Sequence, residues 1–394
     1  MGTDLPKLVT SAAEVQDIAR EIRATGSFAM DLEFASEGRY VPELCLVQVA
    51  WQPESERGAK LALLDAQAIA LEPIFELVSD ADVGVVAHAA RQDIALLATR
   101  FAVRAQRFWD TQIGAAFAGL GEQVGYGRLV GELLDIKVDK GPQFTDWTKR
   151  PLSERQLRYA AGDVTHLHKL WPLLRDRLAE MGRVDWVAEE SASMVREVEV
   201  RVPPEEKFRS LGGWGGLRGK SAGAVVQLAA WREREALASN KPPSWILPDN
   251  ALIELCRRLA DSESALRRVK GVGSGTVRRY GDKIVSVIQE GAGSDAPHAL
   301  RRGSSLSSDR QLLATLLSLL VSARCAGETL PPKLVGSKTD CESLVTWHSS
   351  AARSEPLPRM LSGWRRSFIG DDAVALLDGK ASLSIAEHGI IVSR

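Results

Sequence analysis

The stretch FAMDLEF, residues 28–34, limits what this chain can fold into more than any other. As a strand it puts Phe28, Met30, Leu32 and Phe34 on one face and Asp31 and Glu33 on the other. Acidic residues are depleted from strand interiors. Two carboxylates on one face repel by about 4 kcal/mol at a separation of about 4 Å in an effective dielectric of ~20. Cationic neighbours, protonation, a wet surface or metal ions can offset that repulsion. The rest of the chain has to supply one of them.

Around this strand the pattern alternates. Residues 11–25 read as a helix, with Ser11 as cap and Val15, Ile18, Ala19 and Ile22 as the apolar stripe. Residues 44–51 and 61–64 read as strands that continue residues 28–34 in an antiparallel meander. A helix over 72–78, a buried strand over 83–87, a helix over 88–97, a short strand at 108–109 and helices over 111–120 and 125–134 follow. One long helix is expected from Ser153 to about Arg177, with Tyr159 and Asp163 one turn apart on the same face. Strands interspersed with helices predict an α/β domain whose sheet faces are covered by helices.

A chain of 394 residues is too long for one core, so two or three domains are expected. The boundaries read as 1–195 for the α/β domain, 196–217 for a Gly/Pro-rich connector, 218–292 for a helical block, 293–308 for a linker and 309–394 for a second helical block. Lys and Arg number 50 against 51 Asp and Glu, so bulk charge does not announce a nucleic-acid partner and any basic surface must be local. The longest apolar run, Leu312–Val321, is interrupted by Thr315 and Ser318, and no stretch reaches membrane-span length. The opening MGTDLPKLVTSAAEV has no apolar signal core, and Pro6 does not fit a myristoylation site. Cys45, Cys256, Cys325 and Cys341 have no ligand-type spacing and read as free thiols. A cytoplasmic location, no membrane association and no obligate protein partner are expected.

Four carboxylates sit where a wound α/β domain can gather them: Asp31 and Glu33 on a strand, Asp93 at a helix start and Asp163 on a later helix. Gathered anions without cations are unstable, and hard divalent ions suit oxygen ligands. Two such ions would support in-line phosphoryl displacement. For Asp163 alone, a solvated helix acid is the better reading. For Asp31 with Glu33 in an apolar strand it is the worse one.

The motifs then converge. FAMDLEFASEGRYVPELCLVQVAW (28–51) resembles the first motif of the DEDD exonuclease superfamily, VVAHAARQDIALL (85–97) the second and YAAGDVTHL (159–167) the third. With the intervening WDTQIGAAFAGLG and VDKGPQFTDWTKRPLSERQLRYAAGDV, residues 5–180 resemble the ribonuclease D family. Residues 225–289 resemble an HRDC domain, and 361–380 match best within a second, divergent HRDC-like block. The resemblance implies an RNase H-like (DnaQ-like) exonuclease domain with a mixed sheet, followed by two small all-α HRDC-type domains.

It further implies that Asp31, Glu33, Asp93 and Asp163 bind two divalent ions, Mg²⁺ or Mn²⁺. Tyr159 matches the tyrosine of the DEDDy subgroup, which positions the attacking water; Arg158 stands where the other subgroup carries histidine. The implied activity is 3′→5′ removal of terminal nucleotides from RNA as 5′-monophosphates. Precursor tRNA and other structured RNAs with a free 3′ end are the implied partners. Candidate substrate contacts are Leu46 and Gln48 near the first motif, Lys140, Trp147 and Arg150 in the loop before the third, and the basic turn Arg267, Arg268, Lys270, Arg278 and Arg279. The competing expectations are a DNA exonuclease of the same chemistry and a catalytically silent nucleic-acid scaffold. Intact acids at all four positions weigh against the scaffold.

Overall fold

The computed structural model describes residues 5–53, 58–138, 145–200, 202–294, 307–386 and 389–393. The alternating region forms a six-stranded mixed sheet of β1 (Leu8–Val9), β2 (Ser27–Ala35), β3 (Glu43–Trp51), β4 (Lys60–Asp65), β5 (Gly84–Ala87) and β6 (Phe108–Asp110). Their order is β1-β4-β3-β2-β5-β6. β3 and β4 are antiparallel, with Gln48 opposite Leu63, while β2 runs parallel to β5 and β5 to β6. β2, which carries Asp31 and Glu33, is therefore central and flanked on both sides.

The helices of this region are α1 (Ala12–Thr25), α2 (Glu72–Val78), α3 (Arg91–Phe101), α4 (Thr111–Phe117), α5 (Tyr126–Leu134), α6 (Glu154–Thr165), α7 (Leu167–Glu180) and α8 (Val184–Glu199). The apolar stripe of α1 buries Val15, Ala19 and Ile22, and Gly26 ends the helix in the left-handed conformation at φ 69°. The expected single helix over 153–177 is two helices that part at His166. The cause is a side chain from another element: the Tyr126 hydroxyl donates to the Gly162 carbonyl at 2.9 Å and accepts the His166 N–H at 3.2 Å. It occupies the place of the helix hydrogen bond those two groups would otherwise make.

The chain divides into two compact units, one of Met1–Glu33, Leu44–Glu199 and Leu306–Arg394, the other of Phe34–Glu43 and Val200–Ser305. In the first, α14 (Ser308–Gly327), α15 (Pro332–Val335), α16 (Lys338–His348) and α17 (Asp371–Leu377) share one core with the sheet helices, rather than closing a core of their own. Trp186 stacks on Trp364 at 4.7 Å between centroids, and buried Arg365 pairs with Glu190 at 2.5 Å. Gly363 has φ +56°, and a Cβ there would fall 1.5 Å from a Glu189 carboxylate oxygen, so glycine is required. The all-α expectation for 309–394 omits a terminal hairpin, β7 (Ser382–Ala386) and β8 (Gly389–Ser393). SLSIA alternates polar and apolar residues and GIIVS carries Ile390, Ile391 and Val392, β-branched residues that suit a strand.

The second unit is helical: α9 (Gly219–Ala238), α10 (Pro243–Ile246), α11 (Asp249–Arg258), α12 (Glu263–Arg267) and α13 (Ser274–Gly293). α9 and α13 approach closely at Gly223 and Gly291, where a Cβ on Gly223 would lie 2.2 Å from the Gly291 carbonyl. The stretch read as a connector is not free-standing. α8 runs through residue 199, and Phe208, Leu211 and Leu217 are buried in the α9–α13 core. Residues 34–43 also belong here: Asn240 accepts the backbone N–H groups of Tyr40 and Val41 at 3.1 and 2.9 Å.

Candidate metal centre

Two elements, β2 and α6, bring three carboxylates together, and a third, α3, places Asp93 near enough to act on them electrostatically but outside that cluster. β2 places Asp31 and Glu33 on one face, as alternation requires. α6 begins at a capping box, where Ser153 and Gln156 satisfy each other's backbone N–H groups, and this fixes the helix that carries Tyr159 and Asp163. One oxygen from each of Asp31, Glu33 and Asp163 lies within 4.8 Å of the others. Asp93 is buried in the first turn of α3. The turn ahead of it is held by Asp110, whose carboxylate accepts Ala89 and Ala90 N–H at 2.9 and 3.0 Å and also caps α4 through Gln112 N–H at 2.8 Å. Ala89 adopts φ 55° in that turn. Asp110 thus has two duties, capping α4 and joining β6 to the turn that leads into the Asp93 helix.

The electrostatics are those of clustered, mutually repelling carboxylates. Burial pushes the Asp31 carboxyl up to about 7, with a backbone hydrogen bond from Leu32 opposing. Burial and then the charges of Asp31, Asp163 and Asp93 push Glu33 up to about 9. Burial and Asp31 raise Asp163 to about 8, against the hydrogen bond from Tyr159. Asp93 is raised by burial, then by Asp31 and Asp110. Every charge acting on Glu33 is another carboxylate. An all-oxygen, mutually repelling donor set fits hard divalent cations. Tyr159 is raised by burial and by Asp163, Glu33 and Asp31, so its phenol stays protonated near neutrality.

The candidate substrate contacts fare differently. Leu46 is fully buried and cannot touch a ligand. Gln48 is fully buried too; its amide N–H donates to Asp31 at 3.5 Å, so it supports an acid instead of reading a nucleotide. Trp147 is buried and packs on Tyr159, with ring centroids 6.3 Å apart, which leaves no free face for a base. Arg150 has no spare donor for phosphate. It forks onto Asp65 at 2.7 and 2.5 Å, donates to the Trp147 carbonyl at 2.8 Å and to the Cys45 carbonyl at 2.9 Å, and so clamps the loop to β3 and β4. Lys140 lies outside the described residues.

The basic turn is exposed but divided. Arg268 and Lys270 line a hollow with Asn250, Glu254 and Arg258. Arg278 and Arg279 line another with Lys241, Trp245 and Tyr280. Arg267 pairs with Glu263 at 3.3 Å. His166 and His168 stay outside the acid cluster, and His88 bonds Thr111 at 2.9 Å through Nδ1. The residue that sequence reasoning missed altogether is Tyr126; no periodicity or spacing marks a tyrosine that inserts into a helix more than thirty residues away.

The chain is also similar to known proteins over nearly its whole length. Residues 6–179 match the 3′–5′ exonuclease family and residues 221–288 the HRDC domain. Ribonuclease D of Gluconacetobacter diazotrophicus is 35% identical over 390 residues, covering 96% of this chain and 95% of that protein. Ribonuclease D of Granulibacter bethesdensis is 35% identical over 387 residues, covering 96% and 94%. The crystal structure of Escherichia coli RNase D, described as an exoribonuclease involved in structured RNA processing, superposes with a TM-score of 0.84. It is 23% identical, with 95% of this chain and 99% of that one covered.

Proposed function

The chain belongs to the ribonuclease D family, a family of 3′–5′ exoribonucleases, and from that premise we propose that Asp31, Glu33, Asp93 and Asp163 hold two divalent cations, Mg²⁺ or Mn²⁺, at its active site. The reading is supported above all by the three acid oxygens within 4.8 Å of one another, raised in pKa, where the charges acting on Glu33 among the described residues are carboxylates. Divalent cations, when bound, supply Lewis acidity that makes water a better nucleophile and neutralises charge on the departing 3′ oxygen.

The chain's own residues do the positioning. The Tyr159 hydroxyl donates to Asp163, and its raised pKa keeps it protonated near neutrality, so it orients the attacking water through a hydrogen bond and does not deprotonate it. Trp147 fixes the Tyr159 ring, and the Arg150 clamp fixes Trp147. Gln48 steadies Asp31. In the helical unit, Lys241, Arg278 and Arg279 around exposed Trp245 offer phosphate-binding cations beside a stacking surface.

The substrate is RNA. Its identity as precursor tRNA and other structured RNA with a free 3′ end, and a cytoplasmic location, are parts of the proposal that rest on the family. The experiment is a comparison of 3′-extended tRNA, unstructured RNA and matched DNA with Mg²⁺ and with Mn²⁺, reading product ends. Trimming of the tRNA extension to a defined stop, faster than loss from DNA, is expected. Equal rates on RNA and DNA, or no action on the tRNA extension, would overturn the substrate assignment.

A further inference from the structure

Within residues 160–167 the local contributions to the break between α6 and α7 are small: Gly162 is a weak helix former, and the Thr165 hydroxyl donates back to the Ala161 carbonyl at 2.5 Å. There is no proline, and Gly162 has no left-handed φ. The helix parts because Tyr126, from α5, takes both ends of the hydrogen bond that would join Gly162 to His166. The carbonyl it holds belongs to the peptide that leads directly into Asp163.

On the far side of the break, α7 is anchored: Leu167, Leu170, Trp171 and Leu174 are all buried in the core. With α7 fixed, the geometry of the break decides where α6 points, and hence how Asp163 meets Asp31 and Glu33. The tyrosine is itself tied to the other half of the site. Its ring packs against His88 at 5.7 Å between centroids. His88 is held by Thr111, whose hydroxyl donates to the Ala87 carbonyl at 3.0 Å, at the end of β5 just before the turn into the Asp93 helix. Tyr126 therefore stands between the element that carries Asp93 and the one that carries Asp163.

We propose that Tyr126 is a positioning residue for the metal centre, its hydroxyl fixing the α6–α7 break that aims Asp163 at Asp31 and Glu33. The proposal rests on the reading of those acids as cation ligands. Groups that orient ligands from behind are typically worth about 10–100-fold in metal affinity or activity. Tyr126→Phe keeps the ring contact with His88 and deletes only the oxygen.

The test is Mn²⁺ binding, read from the free-ion paramagnetic resonance signal without any turnover, in the parent, Tyr126→Phe and Asp163→Asn, with KM for RNA measured alongside. About tenfold weaker Mn²⁺ binding in Tyr126→Phe, at unchanged KM for RNA and an intact far-ultraviolet spectrum, is expected. Affinity within twofold of the parent would overturn the proposal. If Asp163→Asn binds Mn²⁺ as the parent does, the ligand assignment fails; if only Asp163→Asn loses binding, the role of Tyr126 fails alone. A second measurement needs no variant. Because coupling is reciprocal, Mn²⁺ should slow hydrogen exchange of the His166 amide in the parent. Unchanged exchange there, with Mn²⁺ bound, would also overturn it.

Discussion

Removing divalent ions should make the stability of this protein fall as pH rises through neutrality, the reverse of the usual carboxylate behaviour. Asp31, Asp163 and Glu33 are held up to about 7, 8 and 9 in the folded protein, against ordinary values of 3.8 for Asp and 4.5 for Glu. The metal-free folded state then keeps protons that the unfolded chain releases. Each retained proton makes stability decline by about 1.4 kcal/mol per pH unit once the unfolded acids have ionised. The acids share one site, so their protons leave as a group and not one residue at a time. Counting a single retained proton for the shared site, since Asp31, Glu33 and Asp163 are all partly solvated, the loss across two pH units is roughly 3 kcal/mol. At about 2–4 °C per kcal/mol, that is a fall in Tm of roughly 6–12 °C.

Buried His88 acts in the opposite sense: burial lowers its pKa, so its contribution grows as pH rises to the ordinary histidine value. It is common to parent and variant and cancels in their difference. The assay is thermal melting in chelator from about pH 5 to pH 8, for the parent and for Glu33→Gln with Asp163→Asn. The parent should lose Tm with pH relative to the variant, and Mn²⁺ should restore it, increasingly at higher pH because binding releases protons. Parallel curves for parent and variant, or a pH-independent Mn²⁺ effect, would refute the reasoning.

Arg150→Ala should lower both stability and kcat, by about 2–3 kcal/mol for the stranded, buried Asp65 after discounting for the partial exposure of the arginine, while the salt dependence of RNA binding stays parental. A shallower salt slope would instead make Arg150 a phosphate contact. Arg365→Ala should destabilise the first unit by about 3–5 kcal/mol, because it leaves the mostly buried Glu190 without its main partner; urea titration reads this directly. Replacing Arg278 and Arg279 together should flatten the salt dependence of RNA binding and spare hydrolysis of short oligonucleotides. Identical salt slopes would remove that surface from substrate binding.

The acids were readable from sequence because a strand shows its two faces through alternation, and apolar neighbours at 28, 30, 32 and 34 make Asp31 and Glu33 conspicuous. The α/β class follows from the order of strands and helices, while the mixed sheet is what the family resemblance implies. The loop residues were misjudged because exposure is not a local property. Trp147 and Arg150 lie in a polar, proline-bounded stretch, yet their partners Tyr159, Asp65 and Cys45 come from elsewhere in the chain. Gln48 carried a signal, a lone amide in an apolar strand, but which carboxylate it meets depends on the neighbouring strand. The helix break at His166 has only a weak local signal in Gly162 and Thr165, and the side chain that holds it open, Tyr126, comes from another helix. The last helical block reads from sequence as a separate domain, whereas its Trp364 and Arg365 complete a core shared with α8.

The most direct test of the metal-centre assignment uses a 5′-labelled RNA with a short 3′ extension, incubated with Mn²⁺ and either the parent or Asp163→Asn. The parent should give a ladder shortened one nucleotide at a time from the 3′ end, with nucleoside 5′-monophosphates released. Asp163→Asn, folded as judged by its melting curve, should give none. Parental turnover in Asp163→Asn, or products cut internally or from the 5′ end, would contradict the account.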